Sequence, residues 1–528
     1  MNQNSDNRSQ RTPRVHAAFT SRQCGAVEKQ MVRYLMFAAL ACTLSLDMGG
    51  APSQVQNPSP PMEAGNPEEL ARKMLRVING GDPVAGREFA VASFSEHFLQ
   101  ETPVDEVVAF FQQAHAQSGG LEVTQVLPPE MPGQANLLLR TRTGNHFVRL
   151  VAFGKSGKLT DLFPLPATDP KGDISGDWPR GKVSRAQIRH ELERHAAFAA
   201  ARDLFSGVVL VAEDNRVLFH HAYGMGEQSF QSPNRLDTRF NLGSLDKMFT
   251  GVAIGQLVAA GKMSFTNKLS ALLPDYPNRE VADKVTVHQL LTHTSGLGDA
   301  LKPEMREKKK QFRALRDYFR LFVNEPLSFE PGTGWRYSNA GYLVLGVIIE
   351  KVSGQSYFDY VREHIFNPVG MTNTGYFELD QVVPNLAIGY ARFEDDALGI
   401  GPRHNNGVFL GYKGSSAGGG YSTAPDLLRF ARALREHRLL SPAMTEEVTS
   451  GKVAAARDQY AYGFWDWRKQ FGCDVRGNSG GGPSSGIDSE LHIFWEGPYT
   501  VVVMSNYDPP GGSILARGIT EFLSRQLR

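Results

Sequence analysis

The chain has few cysteines for its length, with three among 528 residues. Cys24 and Cys42 lie near the N-terminus, which leaves Cys473 alone in the body of the chain. A single thiol cannot form an internal disulfide framework, and it cannot supply a zinc site built from cysteines. The cysteine content therefore excludes a small disulfide-stapled fold and a cysteine-type structural zinc site.

A large net charge is also absent. The formal charge is +1, which gives no electrostatic reason to expect a nucleic acid partner. Hydrophobic residues make up 41% of the chain and charged residues 21%, values typical of soluble globular proteins. A length of 528 residues exceeds one ordinary hydrophobic core, so we expect two domains and a tail.

Residues 1–50 are predicted to be an N-terminal extension that carries an export signal. Basic residues up to Arg33 are followed by an apolar run, residues 34–46, and then by the small residues Gly49 and Gly50. The apolar run is too short to cross a membrane comfortably. This order predicts a protein that is exported to the periplasm or secreted.

Three other interpretations of this segment stay open. Met31 could be the true start of the protein, residues 34–46 could serve as a short signal anchor, and Cys42 could be lipidated. The anchor and the lipid would attach the protein to a membrane, and both still place its body outside the cytoplasm. Residues 51–66 are rich in Pro, Gln, Asn and Ser, which predicts a flexible linker.

Residues 67–167 are predicted to form a small α+β accessory domain. Two helical patterns, Pro67–Asn79 and Val104–Ala116, precede several runs typical of strands. This order resembles NTF2-like or cystatin-like domains, and no set of polar side chains in it indicates a reaction. The predicted strands are Leu121–Leu127, Ala135–Arg142, His146–Phe153 and Leu159–Phe163.

Residues 168–184 are predicted to be a second linker, and residues 185–528 a larger domain. Its sequence has a hairpin pattern near each end and helices with Gly/Pro-rich loops between them. We therefore expect an α+β fold with one antiparallel sheet and an inserted helical region, with a cleft between them. The terminal elements are predicted at Arg185–Asp203, Gly207–Ala212, Val217–His221, Leu491–Trp495, Thr500–Ser505 and Ile514–Leu527.

A first candidate motif places Ser244 three residues before Lys247, at the start of an apolar helical run that ends at Gly261. Residues i and i+3 share one helix face, so the lysine could activate the serine hydroxyl. Lysine acts as a base only when its surroundings lower its pKa from about 10.4. The alternative is an ordinary helix-terminal serine beside a solvated lysine.

A second motif is Tyr337-Ser338-Asn339, between the turn-forming residues 331–334 and the predicted helix Tyr342–Val352. A phenol near ammonium groups could act as a base or proton relay, and the Asn339 amide can both donate and accept hydrogen bonds. The alternative is a tyrosine packed under a loop and an asparagine that caps the next helix.

A third motif, residues 477–483, has the sequence Gly-Asn-Ser-Gly-Gly-Gly-Pro and precedes the last hairpin. Glycine allows close approach of a backbone to a ligand, and a strand edge beside a nucleophile can donate an N–H to an oxyanion. The alternative is a flexible glycine loop.

Together and in this order, the three motifs resemble those of the serine β-lactamase-like superfamily. The relevant branch contains class C β-lactamases, DD-peptidases and related esterases. Residues 290–297 match its His-Thr-Ser-Gly-Leu segment, and residues 417–426 match its Gly-Gly-x-x-Ser-Thr-x-x-Asp segment. The resemblance spans roughly residues 185–525 and implies a β-lactamase-like domain.

The resemblance implies that Ser244 is the acylated nucleophile, Lys247 its activator and Tyr337 the general base and proton relay. The backbone N–H groups of Ser244 and Gly481 would form the oxyanion hole, and His293 would be structural. The residues implied to bind substrate are Asn339, Asn478, Ser479, Gly480 and Gly481.

The sequence departs from the family pattern at Asn478. β-Lactamases of this type have lysine there, and many esterase-like relatives have histidine. Asparagine has no charge with which to attract a substrate carboxylate, which disfavours β-lactamase and DD-peptidase activity. A cation elsewhere, such as Lys413, is one hypothesis for a replacement.

We therefore expect an exported serine hydrolase that cleaves a small-molecule ester or amide through an acyl-enzyme on Ser244, with no metal or cofactor. One alternative is a DD-peptidase or β-lactamase that acts on cell-wall-type amides, including cell-wall peptide. Another is a non-catalytic ligand-binding or sensor protein with a hydrolase fold. The four intact motif residues argue against the sensor, and Asn478 argues for it.

Overall fold

The computed structural model describes most of the residues that follow residue 65. The expectations for the N-terminal extension, for its apolar run and for Cys42 fall outside the described residues, as do those for nearly all of the first linker. The described ranges are 66–127, 129, 133–143, 146–167, 178–214, 216–392, 398–455, 458–482 and 484–528. Within them, no helix combines the length and the apolar character that a membrane crossing requires.

The N-terminal unit pairs helices with an antiparallel sheet whose strand order is β1-β2-β3-β4. The buried side chains of Met74, Leu137 and Leu150 lie in the core between helix and sheet. Its resemblance to NTF2-like or cystatin-like domains stays a prediction. The elements are α1 Pro67–Gly80, α2 Pro83–Ser93, α3 Glu96–Glu101, α4 Val104–Ser118, β1 Leu121–Leu127, β2 Gln134–Thr141, β3 Phe147–Lys155 and β4 Lys158–Ala167.

The second unit contains an antiparallel sheet, whose described strands follow the order β13-β14-β15-β16-β17-β18-β5-β6. Strand β5 pairs with β18, so the two ends of this unit meet in one sheet, as predicted. The strands are β5 Gly207–Glu213, β6 Arg216–Tyr223, β7 Met225–Glu227, β8 Ser232–Pro233, β9 Phe240–Asn241, β10 Tyr390–Ala391, β11 His404–Asn405, β12 Tyr421–Ser422, β13 Val453–Ala455, β14 Asp458–Tyr460, β15 Trp465–Asp466, β16 Val475–Gly481, β17 Asp488–Phe494 and β18 Tyr499–Ser505.

The helices of this unit cover both faces of the sheet, and a helical region is inserted between β6 and β13. The helices are α5 Arg185–Ala201, α6 Lys247–Ala259, α7 Leu269–Leu272, α8 Arg279–Lys284, α9 Val287–Leu291, α10 Pro303–Glu307, α11 Asn339–Ser353, α12 Tyr357–Val361, α13 Asn367–Val369, α14 Ala424–Arg435, α15 Pro442–Thr449, α16 Arg468–Phe471 and α17 Gly511–Leu527.

The side chains of β5 point alternately to the two faces of the sheet, and the core is therefore divided into two layers. Val208 and Leu210 of β5 face the inserted helical region, and Val209 and Val211 face α5 and α17. Successive side chains of a strand point to opposite faces, so one apolar strand contributes to both layers. The fold is therefore the predicted α+β arrangement of a β-lactamase-like domain, with α6 and α11 packed together beside the sheet.

Candidate active site

Ser244 lies in a 3-10 turn, Gly243–Asp246, that leads directly into α6. The sequence predicted the first turn of an α-helix, and the observed turn is tighter. Gly243 has a φ of +50°, which glycine adopts without strain, and its N–H donates to Asn241 Oδ1 at 2.9 Å. Residues i and i+3 eclipse in such a turn, so Lys247, the first residue of α6, projects beside Ser244.

The Lys247 side chain is fully buried and meets three oxygen atoms. Its Nζ lies 3.1 Å from Ser244 Oγ and 2.8 Å from Asn339 Oδ1, and it also contacts the carbonyl oxygen of Ala417. The structure therefore brings the first motif and Asn339 of the second motif into direct contact, although 92 residues separate Lys247 from Asn339.

Burial lowers the pKa of Lys247 to about 7, because an apolar environment disfavours the charged ammonium. The nearby carboxylate of Asp299, and Asp246 when it is ionised, favour the ammonium and limit the decrease. A solvated lysine has a pKa of about 10.4 and is almost entirely protonated at pH 7. Lys247 is thus a lysine that can accept a proton near neutral pH, the condition that the sequence left open.

In its neutral form, the Lys247 amine has two N–H groups and one lone pair. Asn339 Oδ1 and the Ala417 carbonyl oxygen can only accept, so they take the two N–H groups. The lone pair is then left for the hydroxyl of Ser244, which can donate its proton to Lys247. This arrangement can generate a serine nucleophile.

Tyr337 lies on the loop before α11, with its ring centroid 4.8 Å from Lys247 Nζ. Ser338 caps the helix: its Oγ accepts from the N–H of Gly341 at 3.0 Å and donates to the carbonyl of Gly298 at 2.7 Å. These bonds fix the loop, so the second motif joins the first at one site.

His293 is buried against the ring of Tyr337, with the two ring centroids 4.3 Å apart. Its Nδ1 accepts from the N–H of Ser338 at 3.1 Å, which places the proton of the neutral ring on Nε2. Burial, with Lys247 nearby, holds the pKa of His293 well below its usual range. A neutral, enclosed ring with a φ of +61° supports the structural role that the resemblance implied.

Residues 477–481 of the third motif lie in strand β16, which pairs with β15 and β17. At Gly480, an added Cβ would overlap the carbonyl oxygen of Leu242 and lie 2.8 Å from the nitrogen of Ser244. A Cβ at Gly243 would lie 2.7 Å from the nitrogen of Gly481. The glycines therefore let the strand pass directly against the nucleophile turn and bring the backbone nitrogens of Ser244 and Gly481 to one region.

The side chain of Asn478 is buried, with 2% of the residue exposed. Its Nδ2 donates to the carbonyl oxygens of Gly463, at 2.8 Å, and Ser244, at 3.3 Å, and its Oδ1 accepts from the N–H of Ser479 at 2.8 Å. The amide thus binds backbone on both sides, and its predicted contact with substrate stays a prediction. Ser479 and Gly481 are partly exposed on the same strand.

Lys413, the hypothetical replacement cation, packs elsewhere. Its Nζ lies 4.0 Å from the centroid of the Phe358 ring, and its charge acts on the carboxylate of Asp359. These contacts place the ammonium against α12, and none of them involves the third motif.

Sequence reasoning missed Asp299. Both of its carboxylate oxygens accept from Nδ2 of Asn339, at 3.1 Å each. Its position two residues after Leu297, where the His-Thr-Ser-Gly-Leu segment ends, is the signal that could have marked it. Asp299 therefore belongs to the polar network that ends at Lys247.

Asp246, inside the first motif, is a second acid that sequence reasoning did not use. It is fully buried, and burial raises its pKa to about 8. Its carboxyl group accepts from the N–H of Gly420, which belongs to the segment 417–426 that matches the Gly-Gly-x-x-Ser-Thr-x-x-Asp pattern. The network thus links the nucleophile turn to the Gly-rich segment near β12.

Metal binding finds no support in the part of the protein that the structure describes. There, no group of three or more His, Cys, Asp or Glu side chains is arranged to hold a metal ion. The contacts of Ser244, Lys247 and Asn339 instead form a hydrogen-bonded set suited to proton transfer.

The protein is similar to known proteins over this unit. The family model described as Beta-lactamase matches residues 192–523. Penicillin-binding protein 4* of Bacillus subtilis (strain 168) is 33% identical over 316 residues, which cover 57% of this chain and 68% of that protein. Esterase EstB of Burkholderia gladioli is 30% identical over 292 residues, which cover 50% of this chain and 72% of that protein.

A solved structure agrees with these sequence matches. The crystal structure of a penicillin-binding protein from Bacillus halodurans has a TM-score of 0.54 and 31% identity, and it covers 64% of this chain and 98% of that chain. The family match spans more than half of the chain and includes Ser244, Lys247, Tyr337 and the third motif. The chain therefore belongs to the beta-lactamase family and is a serine hydrolase of the β-lactamase type.

Proposed function

We propose that the protein hydrolyses carboxylic esters or amides through an acyl-enzyme on Ser244. The observation that carries this proposal is the 3.1 Å contact between Lys247 Nζ and Ser244 Oγ in a buried site. A serine hydroxyl needs an adjacent base to act as a nucleophile, and burial makes Lys247 such a base.

In the acylation step, Ser244 Oγ attacks the carbonyl carbon of the substrate as its proton moves to Lys247. The tetrahedral intermediate collapses when the bond to the leaving group breaks, and the leaving oxygen or nitrogen takes a proton relayed through Tyr337. Water then attacks the acyl-serine ester, the carboxylic acid leaves, and Ser244 Oγ regains a proton. Positioned acid–base groups typically accelerate such steps by about 10²–10⁴-fold.

The oxyanion of each intermediate would be held by the backbone N–H groups of Ser244 and Gly481. The close approach of β16 to the nucleophile turn, which Gly480 and Gly243 permit, supports this assignment. Removing one donor from such a hole typically costs about 10²–10³-fold in kcat.

We propose that the preferred substrate lacks a carboxylate beside the scissile bond. Asn478 is neutral, and its polar atoms bind backbone, so it offers no ammonium to a substrate anion. Similarity to an esterase from Burkholderia gladioli supports an ester substrate.

A second candidate function is peptidase or β-lactamase activity on cell-wall-type amides, with cell-wall peptide as the substrate. Similarity to penicillin-binding protein 4* supports it. A purely ligand-binding or sensor role is a third alternative. It does not explain why a buried lysine is kept in contact with a serine hydroxyl, an arrangement that a binder does not require.

Export to the periplasm or the outside of the cell is part of the proposal. The order of basic, apolar and small residues up to Gly50 supports a signal, with an anchor at residues 34–46 or a lipid on Cys42 as alternatives. Mass spectrometry of the mature N-terminus after expression in a bacterial host would distinguish cleavage, retention and lipidation.

The test of catalysis compares the purified protein with Ser244→Ala. Both are incubated with p-nitrophenyl butyrate, a chromogenic cephalosporin and a D-alanyl-D-alanine peptide, and intact mass is measured for an acyl adduct. We expect ester turnover and an adduct in the parent protein, and neither in the variant.

The other outcomes separate the alternatives. Faster turnover of the cephalosporin or the peptide than of the ester would favour the second candidate. A stable adduct without turnover would favour the sensor. Ester turnover that persists in Ser244→Ala would overturn the acyl-enzyme on Ser244.

A further inference from the structure

The amide of Asn339 is held between Lys247 and Asp299. Its Oδ1 accepts from Lys247 Nζ at 2.8 Å, and its Nδ2 donates to both carboxylate oxygens of Asp299 at 3.1 Å. An amide is polar in one direction only, with an acceptor at one end and donors at the other. The carboxylate therefore selects which end of Asn339 faces the lysine.

The opposite orientation of the amide would be unfavourable at both ends. The Asn339 NH₂ group would point at the Lys247 amine, and the carbonyl oxygen would point at the Asp299 carboxylate. Buried donors and acceptors left unpaired carry a large desolvation cost, and Asn339 is buried. Asp299 thus disfavours the flipped amide of Asn339, in which the NH₂ group would attract the lone pair of Lys247 away from Ser244.

Asp299 is itself fixed by the backbone around it. Its Oδ1 accepts from the N–H of Leu301 at 3.1 Å, which closes an Asx turn. The preceding residue, Gly298, accepts from the capping hydroxyl of Ser338 at 2.7 Å. The carboxylate is therefore placed by the same contacts that place α11 and Asn339.

We infer that Asp299 is a positioning residue for Lys247, acting through Asn339 to keep the lone pair of the amine directed at Ser244 Oγ. This inference rests on the proposed function, because it concerns the base that activates the nucleophile. Nothing in it requires Asp299 to touch the substrate.

The charge of Asp299 also bears on the pH dependence of the base. Among the groups around Lys247, the carboxylates favour the ammonium, and His293 is neutral. Removal of the Asp299 charge lowers the pKa of Lys247, so the amine stays neutral to lower pH. The titratable and aromatic groups that face Lys247 are Asp246, Asp299, His293, Tyr337 and Tyr342.

The test replaces Asp299 in the full-length protein and measures p-nitrophenyl butyrate hydrolysis. For Asp299→Asn we expect kcat to fall by about 10- to 100-fold with little change in KM, the loss typical of a hydrogen bond to a charged group. We also expect the acid limb of the kcat/KM profile to move to lower pH. A merely structural role would reduce the active fraction equally at every pH and leave the limb in place.

A double-mutant cycle with Asn339→Ala tests whether Asp299 acts through Asn339. We expect Asp299→Asn to have almost no further effect once Asn339 is alanine, because contacting residues in one network are not additive. Additive losses, or an acid limb that does not move in Asp299→Asn, would overturn the inference.

Asp299→Glu keeps the charge and gives a second variant if Asp299→Asn does not fold. Asp299→Glu should leave the acid limb of the kcat/KM profile in place. A shift as large as that of Asp299→Asn would contradict the role of the negative charge.

Asp283→Asn is the matched control, because Asp283 is an exposed acid paired with Arg279 at 3.2 Å. The kcat of this variant should equal that of the parent protein. Absence of turnover and of an acyl adduct in the wild type with the ester, the cephalosporin and the peptide would refute the proposed function. An active wild type with a fully active Asp299→Asn would refute this inference alone.

Discussion

The side-chain amide of Asn478 donates a hydrogen bond to the backbone carbonyl of Ser244 across 3.3 Å. A second bond from the same nitrogen reaches the carbonyl of Gly463 at 2.8 Å. One buried side chain thus ties strand β16 to the nucleophile turn and to the segment that leads into β15. At the position where β-lactamases of this type have a lysine, this protein has an asparagine that links two backbone segments by hydrogen bonds.

Asn478→Ala should destabilise the protein and slow catalysis together. The change removes the side-chain donor to the carbonyl of Gly463 and one of the donors to the carbonyl of Ser244, which also accepts from the N–H of Lys247. Such a loss costs about 1–3 kcal/mol in the free energy of unfolding. Urea unfolding gives that loss, and ester hydrolysis gives the loss in kcat that follows if the turn shifts. Unchanged stability and unchanged acylation would remove Asn478 from both the scaffold and the mechanism.

The pH dependence of acylation should follow the protonation of Lys247. The folded-state pKa is about 7, below the ordinary value of about 10.4, and the neutral amine is the reactive form. The rate of acyl-enzyme formation should therefore rise as pH increases through about 7 and level off above it. Stopped-flow kinetics from pH 5 to 9 with a p-nitrophenyl ester measure this, and a rate that is flat across that range would contradict a base with this pKa.

The lowered pKa of Lys247 also makes the stability of the protein depend on pH. Between about pH 7 and pH 10 the unfolded protein binds a proton at Lys247 that the folded protein does not bind. The contribution of this group to the free energy of unfolding should therefore increase with pH across that window. Comparison of urea unfolding for the parent protein and Lys247→Met at pH 7 and pH 9 measures it. An identical change with pH in the two proteins would contradict the prediction.

Tyr337→Phe should reduce catalysis. The ring keeps its contact with His293, at 4.3 Å between centroids, and only the hydroxyl is lost. If that hydroxyl relays protons, kcat for the ester should fall by about 10²–10⁴-fold. Tyr499→Phe is the matched control, since its hydroxyl bonds Glu213 at 3.4 Å, and it should keep full activity. Similar activity in the two variants would exclude Tyr337 as the relay.

Local patterns predicted strands β1–β6, β17 and β18 and helices α1, α4, α5, α6, α11 and α17. The short strands β7, β8 and β10–β15 and the helix α14 were not predicted. Strand β1 has the same bounds in prediction and structure, and α4 begins at the predicted residue, Val104. Helices α2 and α3 were missed because they are short, and α2 has small and apolar residues without a clear periodicity. Its markers were Asp82 as N-cap and Pro83 at the first helical position.

The site was predictable only where its residues share a local motif. Ser244 and Lys247 are three residues apart, so helical geometry predicted their contact. Asp299 and Asn339 are 40 residues apart, and a single aspartate beside a motif has no periodic pattern to mark it. The third motif was expected as a loop or a strand edge, and its residues 477–481 lie in strand β16, where Gly480 fits against the backbone of Leu242.

Gly480→Ala should disrupt the site by forcing β16 away from the nucleophile turn. The added methyl group would overlap the carbonyl oxygen of Leu242 and lie 2.8 Å from the nitrogen of Ser244, and neither backbone atom can move independently. Overpacking of this kind typically costs about 1–3 kcal/mol, so the urea midpoint should fall. Ester turnover should fall further than stability does, because the displaced strand carries the N–H of Gly481.

Gly181→Ala provides the matched control for that variant. A Cβ at Gly181 has no heavy atom within 4 Å, and its φ lies outside the positive region that disfavours alanine. The control should keep its midpoint and its kcat, since Gly→Ala at a compatible site is neutral or stabilises slightly. Full activity of Gly480→Ala would show that catalysis does not depend on the close approach of β16 to the nucleophile turn. The N–H of Gly481 would then have to be replaced by another donor in the proposed mechanism.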